Sequence, residues 1–166
     1  MWFPTKPSEL DFADSSSFRI ANVVTIAAPP ARVFELFATG ERQETWFQDF
    51  KACRWNSPEP HGVGSTREIE LKMLTVKERF LAWEPGARMT FSIDAITLPI
   101  VKQMMEDLRF EPFNGGTRLV WHVHYEPTLP MRAVHPAARG IFGRMFRLSA
   151  EGLKRYAEEN PRLAGA

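Results

Sequence analysis

The sequence predicts an α+β domain in which a curved antiparallel sheet of about seven strands wraps around a long C-terminal helix and encloses an apolar cavity. Six strand-like segments in succession, joined by short turns, predict the sheet, and an amphipathic stretch near the C-terminus predicts the helix. Thirteen Phe and five Trp among 166 residues are a third observation, because large aromatic rings suit a core that is thick or partly hollow. A chain of this length fits one hydrophobic core.

The chain divides into an arm, a domain and a tail. Residues 1–17 are rich in Pro, Ser and Asp without a clear period, and they are expected to form an extended N-terminal arm. Residues 18–160 are expected to form a single ligand-binding domain, and residues 161–166 a C-terminal tail.

The domain opens with a strand and two short helices. Alternating residues with several β-branched side chains predict a strand over Phe18–Ala28. Pro30 ends it and suits the first position of a helix, since proline has no amide hydrogen to donate. One short helix is predicted over Ala31–Ala38 and a second over Glu41–Phe47.

Six further strands and a long helix follow. Asn114-Gly115 between alternating residues is a strong hairpin signal, and turns this short imply an antiparallel sheet. A stripe of apolar residues at steps of three and four predicts a helix over about Pro136–Asn160. The six predicted strands are Phe50–Trp55, Ser65–Lys72, Thr75–Trp83, Arg88–Ile96, Val101–Phe113 and Thr117–Glu126.

Charge gives no support for a nucleic-acid binder, because the net formal charge is only +1. Seven basic and three acidic residues nevertheless lie between Met131 and Arg162. This basic helix predicts either a weak contact with an anionic surface or a solvated face whose charges pair with acids elsewhere in the domain.

The single cysteine, Cys53, predicts a reducing compartment, because it cannot form an internal disulfide. No apolar run is long enough for a signal peptide or a membrane span. A cytoplasmic protein is therefore expected. The sequence leaves open whether it is a monomer or a homodimer.

Five stretches follow one another in a recognisable order over residues 18–160: Val23–Phe37, Trp46-Phe47, Gly62–Ser65, Ala82–Met89 and Gly115–Leu119. Together they resemble the START/birch-pollen-allergen-like (SRPBCC) superfamily, and the polyketide cyclase/dehydrase-type branch most of all. This resemblance implies a helix-grip fold, with a cavity between the sheet and the C-terminal helix. The members of the superfamily include lipid and hormone binders and aromatase/cyclases, so the fold alone does not define a function.

Alternation along the strands predicts which side chains face the helix. In Arg88–Ile96, for example, the inward set is Met89, Phe91, Ile93 and Ala95. Residues of these types either line a cavity for an apolar ligand or fill a solid core. The complete predicted apolar lining is Ile69, Phe80, Met89, Phe91, Ile93, Met104, Leu108, Trp121, Val123 and Tyr125 from the sheet, and Phe142, Met145, Phe146 and Ser149 from the helix.

Three charged residues fall on the inward face of the middle strands: Arg67, Glu78 and Glu106. A buried charge needs a partner. We therefore expect a polar cluster that orients a ligand's carbonyl or hydroxyl group, with Tyr125 and Ser149 as further candidates, or that supplies a general acid or base. The alternatives are a structural ion pair, or a register shifted by one residue that places all three in water.

The histidines predict no metal site and no cofactor. His122 and His124 share one face of a strand with Glu126, but this face is expected to be convex and exposed to water. His61 and His135 are expected near a cavity mouth, and neither has the partners of a catalytic triad.

The leading functional hypothesis is a binding module for a hydrophobic small molecule, such as a lipid, a quinone or a polyketide. One alternative is a cyclase/aromatase or dehydratase acting on a polyketide-like chain, so enzymatic activity is left open. The other is a protein-interaction module that uses the basic C-terminal helix.

Overall fold

The computed structural model describes residues 1–161, in which an eight-stranded antiparallel sheet is combined with four helices. Residues 162–166 of the predicted tail, including Arg162, lie outside the described residues. The strands are β1 (Phe3–Pro4), β2 (Phe18–Ile26), β3 (Phe50–Trp55), β4 (Thr66–Leu71), β5 (Thr75–Glu84), β6 (Arg88–Ile96), β7 (Val101–Phe113) and β8 (Gly116–Pro127). The helices are α1 (Phe12–Ser15), α2 (Pro30–Thr39), α3 (Gln43–Trp46) and α4 (Leu129–Glu159).

The sheet runs in the order β2-β8-β7-β6-β5-β4-β3, and α4 packs against β2, β8 and α3. This arrangement confirms the predicted helix-grip fold, with an antiparallel sheet that holds the long helix against its inner face. The six strands predicted after α3 are all present, within a residue or two at each end.

Local chemistry explains the turns. Pro30 is the first residue of α2, and Gly40 ends that helix with a left-handed φ of 68°. Asn114 and Gly115 both have positive φ, at 48° and 76°, and together form the two-residue turn of the β7–β8 hairpin. Such a turn matches the twist of the strands it joins and fixes the register along both.

The long helix begins seven residues earlier than predicted, at Leu129 instead of Pro136, and Pro136 lies inside it. A proline inside a helix removes the hydrogen bond to the carbonyl of the residue four positions back, here Arg132. Both residues are exposed, so water can reach that carbonyl. The second short helix is shorter than expected, Gln43–Trp46 instead of Glu41–Phe47.

The N-terminal arm supplies a strand that the sequence did not predict. β6 and β7 pair only as far as Ser92 and Met105, and beyond that point the arm lies between them. The amide of Thr5 donates to the Asp94 carbonyl at 3.1 Å, and the amide of Lys6 donates to the Lys102 carbonyl at 2.8 Å. The arm thus satisfies backbone groups that the divergence of the two strands would leave unpaired.

Aromatic rings fill the interior beneath α2 and α3. The ring of Phe37 packs edge-on against Trp46 and Trp121, with centroids 5.2 and 5.3 Å apart. Trp121 in turn packs against Phe146 of α4 at 5.4 Å. This half of the domain is a solid core, and the other half, beneath the first part of α4, is hollow.

Candidate ligand-binding cavity

A cavity lies between the inner face of the sheet and the first half of α4. About 90 Å³ of it is open to the centre of a water molecule, within about 840 Å³ of atom-free space that includes its mouth. One water molecule needs roughly 10–15 Å³ by the first measure, so the space is several times larger. Most of the lining side chains are apolar.

The structure brings ten of the seventeen predicted site residues to the cavity wall and places seven elsewhere. The ten are Ile69, Glu78, Ile93, Met104, Glu106, Val123, Tyr125, Phe142, Met145 and Phe146. The seven are Arg67, Phe80, Met89, Phe91, Leu108, Trp121 and Ser149.

These seven are buried, and each has another role in the fold. Met89, Leu108 and Trp121 belong to the solid core. Ser149 joins α3 to α4, since its hydroxyl accepts from the Gln48 amide at 3.0 Å and donates to the Met145 carbonyl at 2.8 Å. Arg67 lies behind the cavity wall, close to the rings of Phe80 and Phe91.

The alternation of inward and outward side chains, from which the lining was predicted, is interrupted at one point of β6. β5 and β6 pair Lys77 with Ala95 but Glu78 with Ile93, which leaves Asp94 as the extra residue of a β-bulge. A bulge reverses the alternation beyond it. Ile96, instead of the predicted Ala95, is therefore buried and lines the cavity.

The remaining lining residues were outside the predicted set, although His135 was expected near a mouth, and they come from α4 and from several strands and loops. On α4 they are Met131, His135, Ala138 and Arg139. These continue the stripe of Phe142 and Met145 at steps of three and four, a signal that the late predicted start of the helix concealed. The others are Ile20, Phe47, Leu71, Leu74, Val76, Ile100, Val101 and Pro127.

Arg67 and Glu78 form an ion pair, in which Glu78 lines the cavity and Arg67 lies behind the wall. Arg67 Nε donates to Glu78 Oε2 at 2.6 Å, and Arg67 Nη1 donates to the Phe37 carbonyl at 3.1 Å. The guanidinium also lies 5.0 Å from the centroid of the Phe80 ring and 5.2 Å from that of Trp55. Arg67 is thus held by the protein itself, whereas Glu78 reaches the cavity. Burial raises the pKa of Glu78, and the charge of Arg67 opposes that rise.

Glu106 is the second carboxyl group of the wall. Its Oε2 accepts a hydrogen bond from Trp121 Nε1 at 2.8 Å. Among residues 1–161, none hydrogen-bonds to its Oε1. Burial, reinforced by repulsion from Glu78, raises the pKa of Glu106 to about 8, despite the opposing effects of Trp121 and Arg67. At neutral pH this side chain is therefore mostly an uncharged acid.

The mouth lies beside the first half of α4, where the lining residues are partly or fully exposed. The hydroxyl of Tyr125 and Nε2 of His135 are hydrogen-bonded at 2.8 Å, and burial raises the pKa of Tyr125. The hydroxyl of Thr128 donates to the Pro99 carbonyl at 3.0 Å, which fixes the β6–β7 loop to the start of α4. Residues 96–100, around Pro99, and residues 127–136, at the start of α4, both contribute to the lining.

The expectation of a wet outer face was wrong for His124, whereas His122 on the same face is partly exposed. His124 is only 4% exposed, because the end of the arm covers it and Ser16 Oγ contacts His124 Nδ1 at 3.0 Å. Burial lowers the pKa of both histidines. Within the described part of the chain, no three His, Cys, Asp or Glu side chains are placed to hold a metal ion.

The chain belongs to a family described as polyketide cyclase/dehydrase and lipid transport, whose model matches residues 17–158. The SRPBCC resemblance is thereby confirmed. Membership places the protein among binders of hydrophobic molecules and polyketide cyclases, without defining which activity it has.

Three individual proteins show what the chain is similar to. The uncharacterized protein Rv2574 of Mycobacterium tuberculosis is 29% identical over 157 residues, which cover 94% of each chain. The Zhui aromatase/cyclase of Streptomyces sp. R1128 has a similar structure, with a TM-score of 0.73, 17% identity and coverage of 90% of this chain and 98% of that one. TTHA0849 of Thermus thermophilus superposes with a TM-score of 0.68, at 18% identity, over 83% and 95% of the two chains. At these identities the structural matches show a shared fold.

None of the helices within residues 1–161 has the length and apolar character needed to cross a membrane.

Proposed function

We propose that this protein binds a small hydrophobic molecule in the cavity between the sheet and α4. The observation that carries the proposal is the cavity itself, which has apolar walls, two carboxyl groups inside and a mouth beside α4. Removing apolar surface from water contributes about 25 cal/mol per Å², so apolar burial would supply most of the affinity. The few polar side chains would orient the ligand.

A blocked mouth tests the proposal. Ala138 lines the cavity from α4, and its neighbour Ala137 is exposed and does not. Ala138→Trp should therefore obstruct the cavity, whereas Ala137→Trp adds the same ring to the same helix outside it. Binding of the neutral dye Nile red, followed by fluorescence, should be lost in the first variant and retained in the second. Equal binding by both variants would contradict the proposal.

Native mass spectrometry of the purified protein complements the dye measurement. A bound apolar molecule that is present in the wild type and in Ala137→Trp, but absent from Ala138→Trp, would support a cavity ligand directly. The same spectra report whether the protein is a monomer or a homodimer.

A cyclase- or dehydratase-like enzyme is the second candidate, and Glu106 is the observation that favours it. An uncharged carboxylic acid with a pKa of about 8 can donate a proton to a carbonyl or hydroxyl oxygen at neutral pH. Incubation with a β-hydroxyketone, followed by mass spectrometry, would reveal loss of water. Turnover by the wild type but not by Glu106→Gln would support this function, and no turnover by the wild type would argue for a binding protein.

The cytoplasmic location and the contact of α4 with an anionic surface remain proposals. Arg132, Arg139, Arg144, Arg147 and Arg155 are exposed on α4. Two of them form ion pairs with acids, Arg132 with Glu126 at 3.5 Å and Arg147 with Glu151 at 3.3 Å.

A further inference from the structure

We propose that the deep end of the cavity binds the carbonyl oxygen of an uncharged ligand through the carboxyl group of Glu106, and that it rejects the carboxylate of a fatty acid. The inference rests on the proposed binding function and specifies the class of ligand. Two observations support it: the identity of the polar groups that reach the cavity, and the atoms of these groups that already have hydrogen-bond partners.

No cation faces the deep end within the described residues. The guanidinium of Arg67, the nearest positive charge, is held by Glu78 and by the Phe37 carbonyl, and it does not line the cavity. The polar side chains of the lining are Glu78, Glu106 and Tyr125, all less than 10% exposed, and His135 and Arg139 at the mouth. The hydroxyl of Tyr125 is already bonded to His135 Nε2, so the polar groups of the described wall that remain for a deeply bound ligand are the two carboxyl groups.

Strand pairing places these two carboxyl groups on either side of β6. Glu78 of β5 pairs with Ile93, and Glu106 of β7 pairs with Phe91. Their mutual repulsion is one cause of the raised pKa of Glu106. From α4, which faces this part of the sheet, the lining side chains are Phe142, Met145 and Phe146, and these carry no charge.

The bond from Trp121 determines where the proton of Glu106 lies. Because Oε2 accepts from Trp121 Nε1, the proton of the neutral acid belongs on Oε1. Oε1 has no partner among the described residues, so its O–H group is free to donate. The oxygen of a ketone, aldehyde or ester is the matching acceptor, because it is uncharged and can accept the hydrogen bond that Oε1 donates.

A carboxylate in the same position would meet an unfavourable charge. It would lie near Glu78, whose counter-ion Arg67 is already engaged, and no free cation of the described wall would balance it. Placing like charges together in an apolar environment is costly, and so is burying an anion without a cation. A fatty acid could still bind with its head at Arg139 in the mouth, but its tail would then leave the donor of Glu106 unused.

Four twelve-carbon probes distinguish these cases by displacing Nile red: 2-dodecanone, dodecanoate, dodecylamine and dodecane. At about pH 7 the ketone should bind about two- to tenfold more tightly than dodecanoate or dodecane, since this is the factor that one hydrogen bond between neutral groups supplies. Equal affinity of dodecanoate and the ketone would overturn the proposal. Tighter binding of dodecylamine would also overturn it, and would indicate a cation site at the carboxyl pair.

The pH profile provides a second readout. As the pH rises through about 8, Glu106 loses its proton and its donor, so affinity for the ketone should fall between about pH 6.5 and pH 9.5. Glu106→Gln retains an N–H donor and should bind the ketone with no such fall. Glu106→Leu should bind ketone and dodecane equally. Wild-type affinity that does not change with pH would overturn the proposal.

Failure of the proposed function would give a different result. If no probe displaced the dye from the wild type, dodecane included, the cavity itself would not bind apolar molecules. If all four displaced it with similar affinity, the cavity would bind apolar chains, and only the role assigned to Glu106 would be wrong.

Discussion

Trp121 and Glu106 meet where the solid half of the interior borders the hollow half, through a hydrogen bond of 2.8 Å from the indole Nε1 to Oε2. The ring of Trp121 packs against Phe37 and Phe146, whereas the carboxyl group of Glu106 faces the cavity. One side chain of the core therefore orients an acid of the site whose pKa is raised to about 8.

The raised pKa of Glu106 predicts how stability depends on pH. Between the ordinary value of 4.5 and about 8 the folded protein binds a proton that the unfolded chain has released, so the free energy of unfolding falls as the pH rises. The decrease approaches about 1.4 kcal/mol per pH unit. Glu106→Gln should remove this contribution, so its stability should fall less with pH than that of the wild type, and it should be the more stable protein at about pH 9.

Urea unfolding at about pH 5 and pH 9 would measure this difference. Glu111→Gln, an exposed position on the same strand, is the control and should follow the wild type. Parallel loss of stability with pH in the wild type and in Glu106→Gln would contradict the prediction.

Breaking the Arg67–Glu78 ion pair by one substitution should lower the free energy of unfolding strongly, and replacing both residues should lower it less. Arg67→Met leaves Glu78 buried without its cation, which should cost about 3–5 kcal/mol. Adding Glu78→Leu removes the orphaned acid and should restore much of the stability. Chemical unfolding of both variants tests this. If the double variant were no more stable than Arg67→Met, burial of the unpaired charge would not be the cause.

Replacing Gly152 or Gly143 of α4 by alanine should change the free energy of unfolding in opposite directions. A Cβ at position 152 would collide with the carbonyl of Trp46, whereas a Cβ at position 143 would meet open space. Gly152→Ala should therefore lower the free energy of unfolding by about 1–3 kcal/mol or more. Gly143→Ala should raise it by about 0.5–1 kcal/mol, because alanine is the better helix former. Thermal unfolding measures both, and destabilisation by both variants would contradict the packing argument.

The arm should protect the part of the sheet where β6 and β7 separate. Deleting residues 1–8 removes the pairing of β1 with β6 and the bonds that arm amides donate to the Asp94 and Lys102 carbonyls. This part of the sheet should then open more often, so amide exchange in residues 93–104 should become faster, while β2 and most of β8 stay protected. Lys6→Ala is the control, because only the backbone amide of Lys6 is used. Unchanged exchange in residues 93–104 after the deletion would show that the arm is dispensable there.

Much of the fold and part of the site could be predicted from the sequence. The alternation of side chains along a strand is a local property, and it correctly assigned Arg67, Glu78 and Glu106 to the inner face. The alternative of a shifted register is excluded by their burial. The structural ion pair that was weighed against a functional cluster does exist, between Arg67 and Glu78, and Glu106 lies outside it.

The remaining details depend on packing that one sequence does not show. Which half of the interior is hollow depends on how the rings of Phe37, Trp46 and Trp121 stack. The bulge at Asp94 reverses the inward set within one strand, and no residue type there signals it. The sequence predicts too late a start for α4 because proline usually marks the first turn of a helix.

The tight packing of Gly152 against Trp46 has a consequence for the rate of ligand exchange. α4 is fixed at its C-terminal half, where Phe146 and Leu153 are buried, while the half over the mouth is largely exposed. The rate at which a ligand leaves should therefore depend on residues near the start of the helix, and the thermal stability on residues near its end. Residence time and melting temperature can then be altered independently within one helix.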